Sequence, residues 1–125
     1  MKESLLIALG GGTGAVLRYL VSKYVTEVSD KVFPWGTMTV NILGCLVAGI
    51  VIGCTIKLNL PDTLRLLLIA GFCGGFTTFS AFSVEGLNLL RHGYFVLFAS
   101  YFLANTVGGL AAVYIGSKLI VRYVN

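Results

Sequence analysis

Apolar residues fill four long stretches of the chain, and short polar segments separate them. The stretches cover about residues 4–24, 36–56, 63–90 and 94–121. Each reaches the roughly 20 residues that a helix needs to cross a bilayer. Turn-forming residues lie between them, at 30–34, 59–62 and 91–93. The pattern predicts an all-α integral membrane protein, a single domain of four transmembrane helices over residues 1–125.

Composition supports this prediction and narrows the possible partners. Hydrophobic residues make up 57% of the chain and charged residues 11%, and the mean hydropathy is +0.92. The first stretch contains Gly10–Gly14 and Arg18 and leads directly into a second span, so we interpret it as a retained helix and not as a signal peptide. The net charge of +4 is modest, and no soluble basic domain remains that would bind nucleic acid.

Basic residues are distributed almost evenly between the two ends of the predicted helices. Lys and Arg normally concentrate on the cytoplasmic side. The side that holds both termini carries Lys2, Lys57, Arg65, Lys118 and Arg122, and the opposite side carries Lys23, Lys31 and Arg91. This small bias allows insertion in both orientations, and therefore an antiparallel dimer. An ordinary fixed topology is the alternative.

Small residues recur one helical turn apart in every predicted span. The pairs are Gly10 and Gly14, Gly49 and Gly53, Gly71 and Gly75, and the series Ala104, Gly108, Ala112 and Gly116. Such faces let helix backbones approach closely in lipid. We therefore expect the glycines to mark helix contacts. The three cysteines show no metal-binding spacing and are interpreted as small packing residues.

Several polar side chains lie inside the predicted spans, where an unpaired polar group is costly. They are Asn41, Thr77, Thr78, Ser80, Ser83, Glu85 and Asn105. We expect them to contact each other or to line water. Glu85 is a functional candidate because ionisable residues are rare at this depth, although a helix-end carboxylate that reaches the interface or pairs with a neighbour is the alternative. Arg18 either reaches the headgroups or lines an aqueous vestibule.

The third span contains the least ordinary segment, 71–83. Gly74 and Gly75 precede Phe76, Thr77 and Thr78, and this combination weakens a helix. A break here would free backbone carbonyls for a small cation, whereas a kink satisfied by neighbouring helices would not. Phe79 and Phe82 are neighbours at i and i+3, and their positive ring edges can approach an anion. Ordinary packing is the alternative for both rings.

Three motifs together resemble the Fluc, or CrcB-like, fluoride channels of microorganisms. They lie in Gly11–Tyr19, Gly36–Gly44 and Gly71–Glu85, and the last reads Gly-Phe-Cys-Gly-Gly-Phe-Thr-Thr-Phe-Ser-Ala-Phe-Ser-Val-Glu. The resemblance covers nearly the whole chain. It implies a passive channel, not an enzyme, that exports fluoride across the cytoplasmic (inner) membrane of a prokaryote as a multi-pass protein and protects against fluoride toxicity. It also implies a dual-topology antiparallel homodimer with two pores.

The resemblance assigns roles to individual residues. The fluoride path would be lined by Phe79, Phe82, Asn41, Ser80, Thr78, Glu85 and Tyr101, and Arg18 would lie at the vestibule. The third helix would be broken near Gly74–Thr77, where the carbonyls of Gly74 and Thr77 would hold a structural Na⁺ at the dimer centre. Ala81 and Asn105 depart from the most familiar residues at their positions, which places individual ligands in question. Two rivals are a proton-coupled transporter of organic cations that uses Glu85, and an accessory subunit that only packs against another membrane protein.

Overall fold

Four long helices account for most of the chain in the computed structural model, which describes residues 1–124. They are α1 (Lys2–Val28), α2 (Trp35–Leu58), α3 (Asp62–Arg91) and α4 (Phe95–Tyr123). All four are long and apolar enough to cross a membrane. The prediction of an all-helical membrane fold with four spans is therefore confirmed.

The connections between the helices are short, and residues with turn-forming conformations end the helices. Asn59 follows α2 in the left-handed region at φ 51°, and Pro61 directly precedes α3. Gly93, at φ 76°, lies between α3 and α4, in a conformation that glycine adopts without steric cost. Short connections usually place consecutive helices side by side, but the closest backbone contacts here join α1 to α3 and α2 to α4.

Glycines bring α1 against the first half of α3. A methyl group at Gly14 would overlap the carbonyl oxygen of Phe72, and one at Gly75 would overlap the backbone of Gly11. Gly10 and Gly71 lie in the same contact. The backbones therefore approach as closely as the spacing of small residues predicted.

A second glycine contact joins α2 to the last part of α4. A methyl group at Gly49 would overlap the backbone of Val113, and one at Gly116 would overlap the carbonyl oxygen of Leu46. Gly53 lies against Ser117 in the same contact. The four helices thus form two closely packed pairs, α1 with α3 and α2 with α4.

The break in α3 lies slightly later than the predicted Gly74–Thr77. Gly74–Phe76 is still helical, and the backbone is extended at Thr77 (φ −86°, ψ 159°) and Thr78 (φ −147°, ψ 117°). The helix then resumes over Phe79–Arg91. Gly75 contributes to the contact with α1. At the break, side-chain oxygens accept the backbone N–H groups of Thr78 and Ala81 in place of helical carbonyls. The break therefore follows the threonine pair and not the glycine pair.

Two segments are wound more loosely as π-helix, Leu66–Cys73 in α3 and Ala104–Gly108 in α4. The sequence pattern did not predict these π-helical segments. A small hydrophobic core forms where the second half of α3 meets the first half of α4. Its buried members are Phe82, Leu89 and Tyr101, with Phe33, Met38, Leu97 and Phe98 packed around them.

Candidate functional site

Asn41 of α2 replaces the backbone bonds that α3 loses at its break. Its side-chain oxygen accepts the backbone N–H of Thr78 at 2.8 Å, and its Nδ2 donates to the Thr78 carbonyl at 3.2 Å. The amide thus pairs with both backbone groups of one residue. A break in a membrane helix is tolerated where neighbouring groups satisfy the freed backbone, and Asn41 meets that requirement.

Asn105 of α4 extends this connection to a third helix. Its Oδ1 accepts a second hydrogen bond from Asn41 Nδ2 at 2.8 Å, and its Nδ2 donates to the Tyr101 carbonyl at 2.9 Å. From the sequence, Asn105 was predicted only as a polar residue within a span that departs from the most familiar residue at its position. The structure brings it into direct contact with Asn41.

Glu85 is half-buried and accepts a hydrogen bond from a hydroxyl on each of its two carboxylate oxygens. Thr37 donates to Oε1 at 2.9 Å, and Tyr101 donates to Oε2 at 2.7 Å. Tyr101 is 0% exposed and Thr37 is buried. The Glu85 carboxylate is therefore paired, which both predicted interpretations of this residue allow. Thr37 was not predicted, although it lies one turn before Asn41 on the same face of α2.

The two phenylalanine rings predicted to line the path lie next to each other. The ring centroids of Phe79 and Phe82 are 5.7 Å apart, and the planes are tilted by 50°. Phe82 also contacts Tyr101 at 5.2 Å between centroids. Phe82 is 9% exposed, whereas Phe79 is 79% exposed. The Phe82 ring is thus buried in the core, whereas the Phe79 ring lies on the surface of the chain.

The hydroxyls at the start of the second half of α3 form a short polar series. Thr78 Oγ1 accepts the Ala81 N–H at 3.2 Å and so caps this helical segment. Ser80 Oγ lies 3.3 Å from Thr78 Oγ1, within hydrogen-bond distance. Ala81 contributes its backbone N–H here, so this contact does not depend on a side-chain hydroxyl at position 81.

A cavity of about 220 Å³ lies at the break. Its walls include Asn41, Thr78, Phe79, Phe82 and Asn105. The helical segment 79–91 begins here, and the N-terminus of a helix carries partial positive charge. Two amide side chains, a pair of phenyl rings and a helix N-terminus therefore border the same space.

Arg18 lies at a second cavity of about 460 Å³, which also borders Thr78, Ala81 and Glu85. The side chain is half-buried and lies beside the same polar residues as the break. Both predicted positions of Arg18, at the headgroups and at an aqueous vestibule, stay predictions. A basic residue at this cavity favours entry of anions.

The structure thus brings most of the predicted site residues into one region. Asn41, Thr78, Ser80, Glu85 and Tyr101 form hydrogen-bonded groups that connect α2, α3 and α4. Phe79 and Ser80 are exposed on the outer surface of the chain. Thr77 lies at the break, whereas Gly74 lies three residues earlier in the last helical turn before it and is exposed.

The chain is similar over nearly its whole length to known proteins. The family model described as "CrcB-like protein, Camphor Resistance (CrcB)" matches residues 5–117. A protein of Phocaeicola vulgatus named "Fluoride-specific ion channel FluC" is 47% identical over 93% of this chain and 96% of its own length. Proteins with the same name from Rhizobium etli and Leptospira interrogans are 45% and 40% identical over 96% and 98% of this chain, and over 97% of their own lengths.

The curated relatives are named as ion channels and not as enzymes, and the match extends through all four helices. The three motifs identified in the sequence fall within the matched residues. The chain therefore belongs to the CrcB-like family of membrane proteins.

Proposed function

We propose that this protein is a passive, fluoride-selective ion channel that lets fluoride leave the cytoplasm. The observation that carries the proposal is its similarity, over nearly its full length, to relatives named as fluoride-specific channels. HF crosses lipid and dissociates inside the cell, so a passive path for the anion lowers internal fluoride. Such a path protects the cell without any covalent chemistry.

The residues around the break supply what a desolvated anion needs. Conduction requires groups that replace the water around the ion and still release it. The Asn41 amide, the ring edges of Phe79 and Phe82, and the hydroxyls of Thr78 and Ser80 are donors of moderate strength. Partial positive charge on ring edges and amides attracts an anion without the strong hold of a fixed cation.

Glu85 and Arg18 would lie further along the path. The Glu85 carboxylate is held by the hydroxyls of Thr37 and Tyr101, so it orders the groups beside the cavity that Arg18 borders. The arginine would raise the local concentration of anions at this mouth. Together these residues connect the break to the aqueous side.

A structural Na⁺ fits the freed carbonyls of Gly74 and Thr77. In an unbroken helix the Gly74 carbonyl would accept the Thr78 N–H, but that N–H donates to Asn41. Thr77 precedes the capping residue Thr78, so its carbonyl lies outside the helical ladder. Freed carbonyls of broken membrane helices coordinate Na⁺. We expect sodium, compared with N-methylglucamine, to raise the thermal unfolding temperature, and an equal temperature in both would contradict the sodium site.

An antiparallel homodimer would cover the exposed polar residues of α3. Ser80, Ser83 and Phe79 are exposed on a span that lipid would otherwise surround. A second copy would complete the ion path on this face, with one pore for each chain. We infer insertion in both orientations into the inner membrane of a prokaryote. Crosslinking of chains tagged at the same terminus tests this dimer, and exclusively parallel pairs would contradict it.

The channel itself is tested by ion flux from liposomes. Purified protein is reconstituted in vesicles loaded with fluoride or chloride, a potassium ionophore sets the voltage, and ion electrodes follow efflux. We expect fluoride efflux driven by voltage alone, with little chloride efflux. Fluoride efflux no faster than that from protein-free vesicles would refute the channel proposal. Transport that requires a proton gradient and an organic cation would support the rival transporter instead.

The role of the rings is tested with matched phenylalanine substitutions. Phe79→Ile and Phe82→Ile each remove a ring beside the cavity. We expect each substitution to reduce fluoride efflux by at least tenfold while the protein stays folded. A tenfold change corresponds to about 1.4 kcal/mol. Phe95→Ile is the control, because Phe95 is 66% exposed at the start of α4, away from the cavity. Wild-type efflux in Phe79→Ile or Phe82→Ile would reject the role of that ring.

A further inference from the structure

The Asn41 side chain has no free N–H in this structure. One N–H of Nδ2 donates to the Thr78 carbonyl at 3.2 Å and the other to Asn105 Oδ1 at 2.8 Å. An amide nitrogen carries only two hydrogens. An anion that takes a hydrogen bond from Asn41 must therefore displace one of these two acceptors.

Backbone groups determine the orientation of both amides. The Thr78 N–H can only donate, so it requires the oxygen of Asn41 on its side, and the Tyr101 carbonyl can only accept, so it requires the nitrogen of Asn105. With both side chains oriented in this way, Asn41 Nδ2 necessarily faces Asn105 Oδ1. The contact between the two amides is thus a donor–acceptor pair and not a clash of like atoms.

We propose that Asn105 is a positioning residue whose side-chain oxygen holds the Asn41 N–H in the absence of fluoride and competes with the ion for it. The proposal rests on the proposed channel function. Both residues border the cavity of about 220 Å³ next to Phe82, so the shared N–H lies where an ion in that cavity can reach it. The hydrogen bond to the Thr78 carbonyl is less readily exchanged. It is one of the two bonds between the Asn41 amide and the Thr78 backbone that stabilise the break.

Competition of this kind weakens fluoride binding and speeds release. When the ion leaves, the Asn41 N–H returns to an acceptor only 2.8 Å away, so the empty state has no unsatisfied donor. Binding then gains only the difference between two hydrogen bonds. This arrangement provides the weak, reversible binding that conduction requires.

Two substitutions of Asn105 separate this role from a structural one. Asn105→Ser withdraws the acceptor from Asn41, and the serine hydroxyl can bond to the Tyr101 carbonyl of its own helix, as Ser100 bonds to Val96. We expect the half-saturating fluoride concentration to fall about 2- to 10-fold, the range that corresponds to one hydrogen bond. The maximal efflux should fall as well, because release slows.

Asn105→Asp keeps an acceptor at the same place. An ionised aspartate repels fluoride, and a protonated one still accepts from Asn41, so the half-saturating concentration should equal or exceed that of the wild type. A purely structural residue would shift both variants in the same direction. Ser100→Ala is the control, because the Ser100 hydroxyl is exposed and bonds within α4. We expect wild-type efflux from this variant.

The outcomes are distinguishable from a failure of the channel proposal. If wild-type vesicles release no fluoride, the channel proposal falls. If they do release it, an unchanged or higher half-saturating concentration in Asn105→Ser, or a lower one in Asn105→Asp, overturns the role of Asn105. Should Asn105→Ser not fold, NMR of the wild type decides. Fluoride should shift the Asn41 side-chain amide resonances, and unshifted resonances in a conducting protein would overturn the proposal.

Discussion

Replacement of Asn41 by leucine tests whether this side chain stabilises the broken helix. Leucine has nearly the same size but neither donates nor accepts. It removes the bond from the Thr78 N–H and both bonds from Nδ2. Thr78 is buried, so its N–H would have no nearby replacement from water. The substitution therefore converts a satisfied break into one with an unpaired backbone donor.

The cost follows from these three bonds. An unsatisfied buried donor costs about 1–3 kcal/mol, and a typical hydrogen bond contributes about 0.5–1.5 kcal/mol. Interhelical bonds in membranes average about 0.6 kcal/mol, so the lower values apply to the two bonds of Nδ2. We expect Asn41→Leu to lower the free energy of unfolding by about 2–4 kcal/mol. Asn41→Asp retains the acceptor for the Thr78 N–H but places an oxygen opposite the Thr78 carbonyl and Asn105 Oδ1, so it also loses both bonds of Nδ2.

The measurement is reversible unfolding in mixed detergent micelles, followed by the fluorescence of Trp35, the single tryptophan of the chain. Thr55→Val is the matched control on α2, because the Thr55 hydroxyl bonds only to Val51 of its own helix. This control should change stability by less than about 0.5 kcal/mol. Equal stability of Asn41→Leu and Thr55→Val would refute the argument that Asn41 stabilises the break.

Two further predictions concern the glycine contacts and Glu85. Gly14→Ala should lower the free energy of unfolding by about 1–3 kcal/mol, because the added methyl group overlaps the Phe72 backbone. Gly12→Ala is the control, because its methyl group meets nothing within 4 Å, and it should be neutral or slightly stabilising. Similar unfolding curves for the two variants would contradict the contact at Gly14. Tyr101→Phe removes the 2.7 Å bond to Glu85 but keeps the ring, so it should cost about 1–2 kcal/mol and reduce fluoride efflux in liposomes. Unchanged stability and efflux would show that this hydroxyl is dispensable.

The sequence predicts the local features of this fold well. Four apolar stretches predicted four membrane-spanning helices, because the length needed to cross a bilayer is a property of each segment alone. The pairs Gly10 and Gly14, and Gly49 and Gly53, predicted close helix contacts, which the structure confirms. The weak region of α3 was also predicted, although the break itself begins at Thr77.

The site was only partly predictable from the residues. Polar side chains within the spans indicated that Asn41 and Glu85 need partners, since lipid provides none. Their spacing did not show which partners these would be. Thr37 was not identified, and Asn105 was identified without its contact to Asn41. The roles assigned to the phenylalanines and to the sodium site rest on the family resemblance.

By itself, the sequence determined the membrane fold class, the helix number, the faces of close approach and the region where α3 weakens. Only the tertiary structure decided that Asn41 pairs with Thr78, 37 positions away, and that Thr37 and Tyr101 share Glu85. The physical reason is that span length, helical periodicity and glycine content act within one segment. A hydrogen bond between helices depends on their relative rotation and height in the membrane, which result from the packing of all four helices together.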